Sequence, residues 1–215
     1  METIKIRKEA KVKLTKGQNV NLTKDGSKTS EALGYAFIGA NWSAIERRWG
    51  APINVDLDSS ILMYDKDKNL IDVVYFGHLT SKDGSVRHSG DDREGDKGGD
   101  DGLDNEVISV NLKGLNPKVE YMVSVLNNYT HQKFSEIPNI ELRIYSNSSG
   151  RKNDVDEVLC SYKLDNNSEY SSSEAIILGH FYRHNGLWKF SADGVGTKER
   201  SIEEISKNSA LKVLY

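Results

Sequence analysis

Where the order of apolar and polar residues has a period, that period is two. Lys11-Val12-Lys13-Leu14 and Asn19-Val20-Asn21-Leu22 alternate on either side of a turn at 15–17 and predict a hairpin. Residues 55–64 and 70–76, joined by the polar Asp65-Lys66-Asp67-Lys68-Asn69, predict a second hairpin. The same grammar recurs at 107–112, 121–126, 140–145, 158–164, 175–181 and 187–190, with clusters of Asn, Gly, Ser and Asp between the runs. Helical signals are confined to 43–49, where Ser43 can cap, and to 201–207, where Ser-Ile-Glu-Glu has capping spacing. Short strands without long helices between them define an all-β, mainly antiparallel chain, and the expected architecture is a two-sheet β-sandwich with one or two short helices. No repeat or long linker divides the 215 residues, so a single domain over 1–215 is expected, with an exposed loop tip at 146–154. Trp42, Trp49, Trp188, Phe181, Phe190 and Tyr182 lie in or near strand signals and read as core filling.

Two stretches break the pattern with carboxylates. In "INVDLDSSI", Asp56 and Asp58 are two apart inside an apolar strand, which puts both on one face while Val55 and Leu57 take the other. In "SGDDREGDKGGDDGLDNE", residues 89–106, the part from 90 to 106 holds six Asp and two Glu against one Arg and one Lys. That segment is −6 in a chain whose total is −3, so the remainder is +3 and the acidity is local. Carboxylates at this density repel one another unless hydrated or neutralised. Hard divalent cations neutralise them, and Ca²⁺ suits Asp oxygens in flexible geometry. The five interspersed glycines let the backbone turn successive oxygens towards one point. Neither Cys nor His occurs in the loop, which disfavours zinc and copper. A hydrated acidic surface has the same composition and is the competing reading. Known calcium loops do not fit elsewhere: after Asp65 an EF-hand would need Gly at Leu70 and Glu at Phe76.

Composition narrows the remaining classes. One cysteine, Cys160, allows no disulfide within the chain, and the apolar pattern around it predicts a buried, inert thiol. The opening "METIKIRKEAKVKL" carries a charge every two or three residues, and no apolar run approaches the ~18 residues of a transmembrane span. A soluble, cytoplasmic protein is expected. A sequence pI near 6.0 without a basic, aromatic-interleaved stripe speaks against nucleic acid as a partner. No Gly-x-Ser-x-Gly elbow or phosphate-binding loop occurs, and His180 and His184 have Phe181 where a zinc-protease helix needs Glu. No enzymatic activity is expected.

"VDLDSSI", then "DGSVRHSGDDREGDKGGDDGLDNEVISVNL", then "LGHFYRHNGLWKFSADGVG", in that order over residues 55–196, resemble the TerD family of bacterial tellurium-resistance and stress proteins. The resemblance implies a non-enzymatic, calcium-binding β-sandwich acting in tellurite and chemical-stress resistance, alongside other stress-resistance proteins as partners. The family's Asp-x-Asp falls on Asp56 and Asp58, its Gly-Asp opening on Gly90 and Asp91, and its closing acidic cluster on Asp100 and Asp101. Here a second triplet, Asp104-Asn105-Glu106, leads into the next strand, so either cluster can supply ligands. The family's Gly-Trp-Asp corresponds to "GANWSA", with Ser43 in place of Asp. The expected metal set is therefore Asp56, Asp58, Asp91, Asp92, Asp96, Asp100, Asp101, Asp104 and Glu106, holding one or two Ca²⁺ ions. The alternative is a small-molecule or oxyanion module, for nucleotide or tellurite, that uses the metal as a bridge.

Overall fold

A computed structural model describes residues 8–24, 26–149, 151, 154–164 and 168–215. The first seven residues of the opening stretch and part of the 146–154 loop lie outside them. Among the described residues, twelve strands form two six-stranded sheets. One sheet runs β1 (Ala10–Leu14), β10 (Glu157–Lys163), β9 (Glu141–Ser146), β3 (Tyr35–Asn41), β7 (Glu106–Asn111) and β6 (Val86–His88). The other runs β2 (Asn19–Asn21), β12 (Leu187–Thr197), β11 (Ala175–His184), β8 (Tyr121–Asn128), β4 (Leu57–Tyr64) and β5 (Leu70–Val74). Neighbours pair antiparallel except β1 with β10. The expected two-sheet sandwich is the observed one.

Strand β4 shows how the sequence dictates the layers. Leu57, Ile61 and Met63 face the core between the sheets, whereas Leu62 and Tyr64 belong to a second cluster on the outer face with Val123, Val125, Ile177 and Ile205. Each such apolar side chain contributes roughly 1.5–3 kcal/mol on burial. The outer cluster is covered by two short helices, α1 (Ile202–Lys207) and α2 (Ser209–Lys212). Ser201 begins α1 with a complete capping box, its hydroxyl accepting from the Glu204 N–H at 3.1 Å, an arrangement worth about 1 kcal/mol. The Tyr64 hydroxyl donates to the Ser206 carbonyl at 2.8 Å and ties helix to strand. Asp58 emerges on this same outer face, just beyond the helical cover.

Three sequence expectations are corrected. The first two strands are not a hairpin: β1 joins one sheet and β2 the other, and the 15–17 turn carries the chain between layers. The alternation is satisfied equally well that way, because Leu14 and Val20 then meet inside the core. Residues 43–49 are not helical. Their backbone is engaged elsewhere, with Ala44 N–H donating to Asp96 at 2.8 Å and Ile45 exchanging both bonds with Ile53. Trp49 is 82% exposed rather than in the core, whereas Trp42, Phe181, Phe190 and Trp188 are buried. Cys160 is buried as expected, and burial pushes its thiol up to about 12.

Candidate metal centre

The start of β4, the start of β7 and the end of β3 all reach one end of the sandwich, since Glu106 lies opposite Ala40 in register and bonds to Ser59. The acidic loop folds over this end. Its backbone is stitched to residues flanking the 43–49 segment: Asp96 N–H donates to the Trp42 carbonyl at 3.2 Å, and Val55 N–H donates to the Glu94 carbonyl at 3.0 Å. Trp42 itself is fully buried and donates its indole N–H to the Val55 carbonyl at 2.8 Å. All five loop glycines have positive φ, between 71° and 109°. At Gly95 a side chain is excluded twice over, because a Cβ would also lie 2.8 Å from the Trp42 ring.

The nine predicted carboxylates separate into three groups by placement. Asp56, Asp58 and Asp91 each bring one oxygen within 4.8 Å of the others, and Asp56 and Asp58 are only 7% and 8% exposed. Asp96, Asp100 and Asp101 form a second such group, more open to solvent. Asp92, Asp104 and Glu106 belong to neither group and are engaged by protein donors beside them. Asp92 accepts from the Glu94 and Gly95 N–H groups and so closes a turn of the loop. Asp104 takes a two-point bond from Arg143, Nε to Oδ1 at 2.9 Å and Nη2 to Oδ2 at 2.7 Å, with both side chains buried. Glu106, fully buried, accepts from Ser59 N–H and Oγ, both at 2.7 Å, and from Asp92 N–H at 3.3 Å. His88 Nε2 stands 3.3 Å from the same carboxylate while its Nδ1 accepts from Gly90 N–H, which fixes the proton on Nε2. The triplet entering β7 is thus used inward, and the Asp100–Asp101 pair is the one that faces out with Asp96.

Several residues in this arrangement were not singled out from sequence. Asn105 sits at the hub, its Oδ1 accepting from Trp42 N–H at 2.8 Å and its amide reaching Asp96 Oδ1 at 3.2 Å. Arg143 carried a readable signal, the one cation within the β-rich run "IELRIY", two residues from Glu141. Gly39 is a contact that periodicity cannot show: a Cβ there would lie 2.0 Å from Asp104 Oδ2, so only glycine leaves room for the buried pair.

The electrostatics of the first group are unresolved by the protein itself. Asp56 Oδ1 is buried with no hydrogen-bond partner. The nearest cation, Arg93, is 72% exposed, with Nε 3.5 Å from Asp91 and 4.0 Å from Asp56. Burial, reinforced by the neighbouring Asp91 for one and Asp56 for the other, pushes Asp56 up to about 6 and Asp58 up to about 7. Burial likewise raises Asp96 to about 6. Clustered oxygens, an orphaned buried acceptor and the absence of any His or Cys from the clustered groups suit a hard cation in place of those protons.

A two-sheet sandwich with carboxylates gathered at one end defines a class of acid-ended β-sandwich. The chain belongs to the TerD domain family, whose model matches residues 10–208. It is 31% identical over 209 residues to the tellurium resistance protein TerZ of Serratia marcescens, covering 94% of this chain and 99% of that protein. It is 33% identical over 192 residues to general stress protein 16U of Bacillus subtilis, covering 86% and 90%. A crystal structure described as a homologue of telluride resistance protein (TerD), from Streptomyces coelicolor A3(2), superposes with a TM-score of 0.62 at 17% identity, over 83% of this chain and 98% of that one. That likeness bears on the fold. No helix among the described residues is long and apolar enough to cross a membrane.

Proposed function

We propose that this chain is a non-enzymatic, calcium-binding protein of tellurite and chemical-stress resistance. Asp56, Asp58 and Asp91 would hold one Ca²⁺, and Asp96, Asp100 and Asp101 a second. Asp92, Asp104 and Glu106 would act as the frame that positions them. The observation that carries the reading is Asp56 Oδ1, a buried acceptor with no partner beside two further carboxylates. A buried group of that kind costs about 1–3 kcal/mol unless something satisfies it, and a bound cation supplies charge and coordination together. The family's tellurium-resistance and stress-protein members support the biological setting. Cytoplasmic location belongs to the same reading, supported by a lone, buried Cys160.

Calorimetric titration of metal-free protein with Ca²⁺ and with Mg²⁺ tests the assignment. Saturable Ca²⁺ binding is expected, with Mg²⁺ much weaker because it demands near-ideal octahedral geometry and dehydrates reluctantly. The double variant Asp56→Asn/Asp58→Asn should lose the tighter phase. Full retention of Ca²⁺ binding by that variant would sink the assignment.

A further inference from the structure

A cleft of about 390 Å³ opens on the outer face of the β4–β8 pair, and Asp58 of the first carboxylate group forms part of its wall. Its other walls differ sharply in chemistry. Phe76 and Tyr129, which line it, are 45% and 64% exposed, although the Phe76 ring meets that of Tyr75 edge-on. Asn127 lies directly opposite Asp58 in the β4–β8 register. Its amide donates to the Arg200 carbonyl at 3.0 Å, while its own Oδ1 is buried without a partner. Arg200 also lines it, with its guanidinium 68% exposed and held by Glu174 at 3.0 Å. One cleft is therefore bordered by a carboxylate of the candidate metal group, by exposed aromatic rings and by an arginine.

We infer that this cleft binds a small aromatic carboxylate whose oxygens complete the coordination of a cation held at Asp58 and whose ring lies between Tyr129 and Phe76. The inference rests on the cation reading above and names the ligand class of the same site. Three carboxylates bringing one oxygen each leave open positions on an ion that takes about 6–8. Without the ion, Asp56, Asp58 and Asp91 repel an anion, so ligand binding must depend on the metal. The exposed rings select a flat body, because stacking on them needs a π face. The volume lies at the small end of ligand pockets, which suits one substituted ring.

Salicylate is the probe, with cyclohexanecarboxylate and inorganic phosphate as comparators. Ca²⁺ is first titrated alone by calorimetry, and each probe is then titrated into Ca²⁺-loaded and EDTA-treated wild type, Tyr129→Ser and Phe76→Ser. Terbium replaces Ca²⁺ in a parallel series, because salicylate excited beyond the protein's own absorption sensitises Tb³⁺ only when the two are adjacent. Salicylate should bind the loaded protein, light up terbium, fail to bind after EDTA, and weaken at least tenfold in Tyr129→Ser, whose Ca²⁺ titration stays at the wild-type value. Equal binding with EDTA, equal binding in both variants, or equal affinity for cyclohexanecarboxylate and salicylate would each overturn the inference. Normal Ca²⁺ binding with no salicylate signal would overturn it while leaving the cation reading intact. Absence of Ca²⁺ binding in the first titration would remove both.

Discussion

Asp58 concentrates the competing terms at the scale of a single residue. Its backbone is fixed by eight residues of pairing to β8, so it cannot move away from Asp56, and burial withholds the water that would otherwise screen the pair. Burial and the Asp56 charge together push it up to about 7, from the ordinary 3.8 of the unfolded chain. Because the folded state holds these protons more tightly, the stability they contribute is complete below about pH 3.8 and is lost as pH rises through 6 and 7, where Asp56, Asp96 and Asp58 ionise. Metal-free protein should accordingly melt at progressively lower temperature between about pH 5 and 8. Cation binding must expel the same protons. At pH 6 an ion bound by Asp56, Asp58 and Asp91 should release about one proton or more, and one bound with Asp96 about half a proton, both falling towards none by about pH 8.5. Titrations in buffers of different ionisation enthalpy read that number directly, and a release independent of pH would contradict the assigned ligands.

At the scale of elements, the loop is held as much by what lies beneath it as by its own turns. The Arg143–Asp104 pair joins the middle of β9 to the entry of β7 under Gly39 of β3. Removing one partner leaves an uncompensated buried charge, so Arg143→Met should cost about 3–5 kcal/mol in urea unfolding. Gly39→Ala should cost a comparable amount by driving Asp104 from its seat. The double replacement Arg143→Met/Asp104→Leu should recover most of the loss, because two apolar groups need no partner; equal destabilisation by single and double variants would show that the pair is not the cause. This element also marks where sequence legibility ends. Strands such as β4, β8 and β11 announce themselves by β-rich runs, and the capping box of α1 by its spacing. β3 does not: "YAFIGAN" is buried on both faces, so its Gly and Ala are chosen by neighbours rather than by a period. The 43–49 segment misled for a related reason, since its polar side chains serve distant contacts, Ser43 accepting from Asn139 and Glu46 accepting from Gly98 of the loop, both at 2.9 Å. Asp104 and Glu106 were visible as carboxylates, but their inward direction depends on Arg143, Ser59 and His88, which come from three other strands or their edges.

For the whole molecule, the local −6 set on a remainder of +3 means that the acidic end is the part of the sandwich least stable without a cation. The sheets beneath do not share that weakness, because one apolar cluster is continuous across them, from β2 to β5 in one and from β1 to β6 in the other. Cation binding should then act as a local ordering event with a global thermodynamic signature. At a hundredfold excess over Kd, one site adds roughly 2.7 kcal/mol. For a chain of this length that is a rise of about 5–10 °C in the melting temperature, smaller at high salt only if the stabilising charges are exposed. Hydrogen exchange separates this mechanism from general tightening. Amides of residues 89–105, together with those of Ala44 and Val55 that bond to the loop, should gain protection on Ca²⁺ addition, while the paired amides of β8 and β11 keep their EDTA rates. Uniform protection across both sheets would mean that the loop and the core unfold as one unit. The frame built by Glu106, Asn105 and Arg143 would then transmit cation binding through the sandwich rather than confine it to one end.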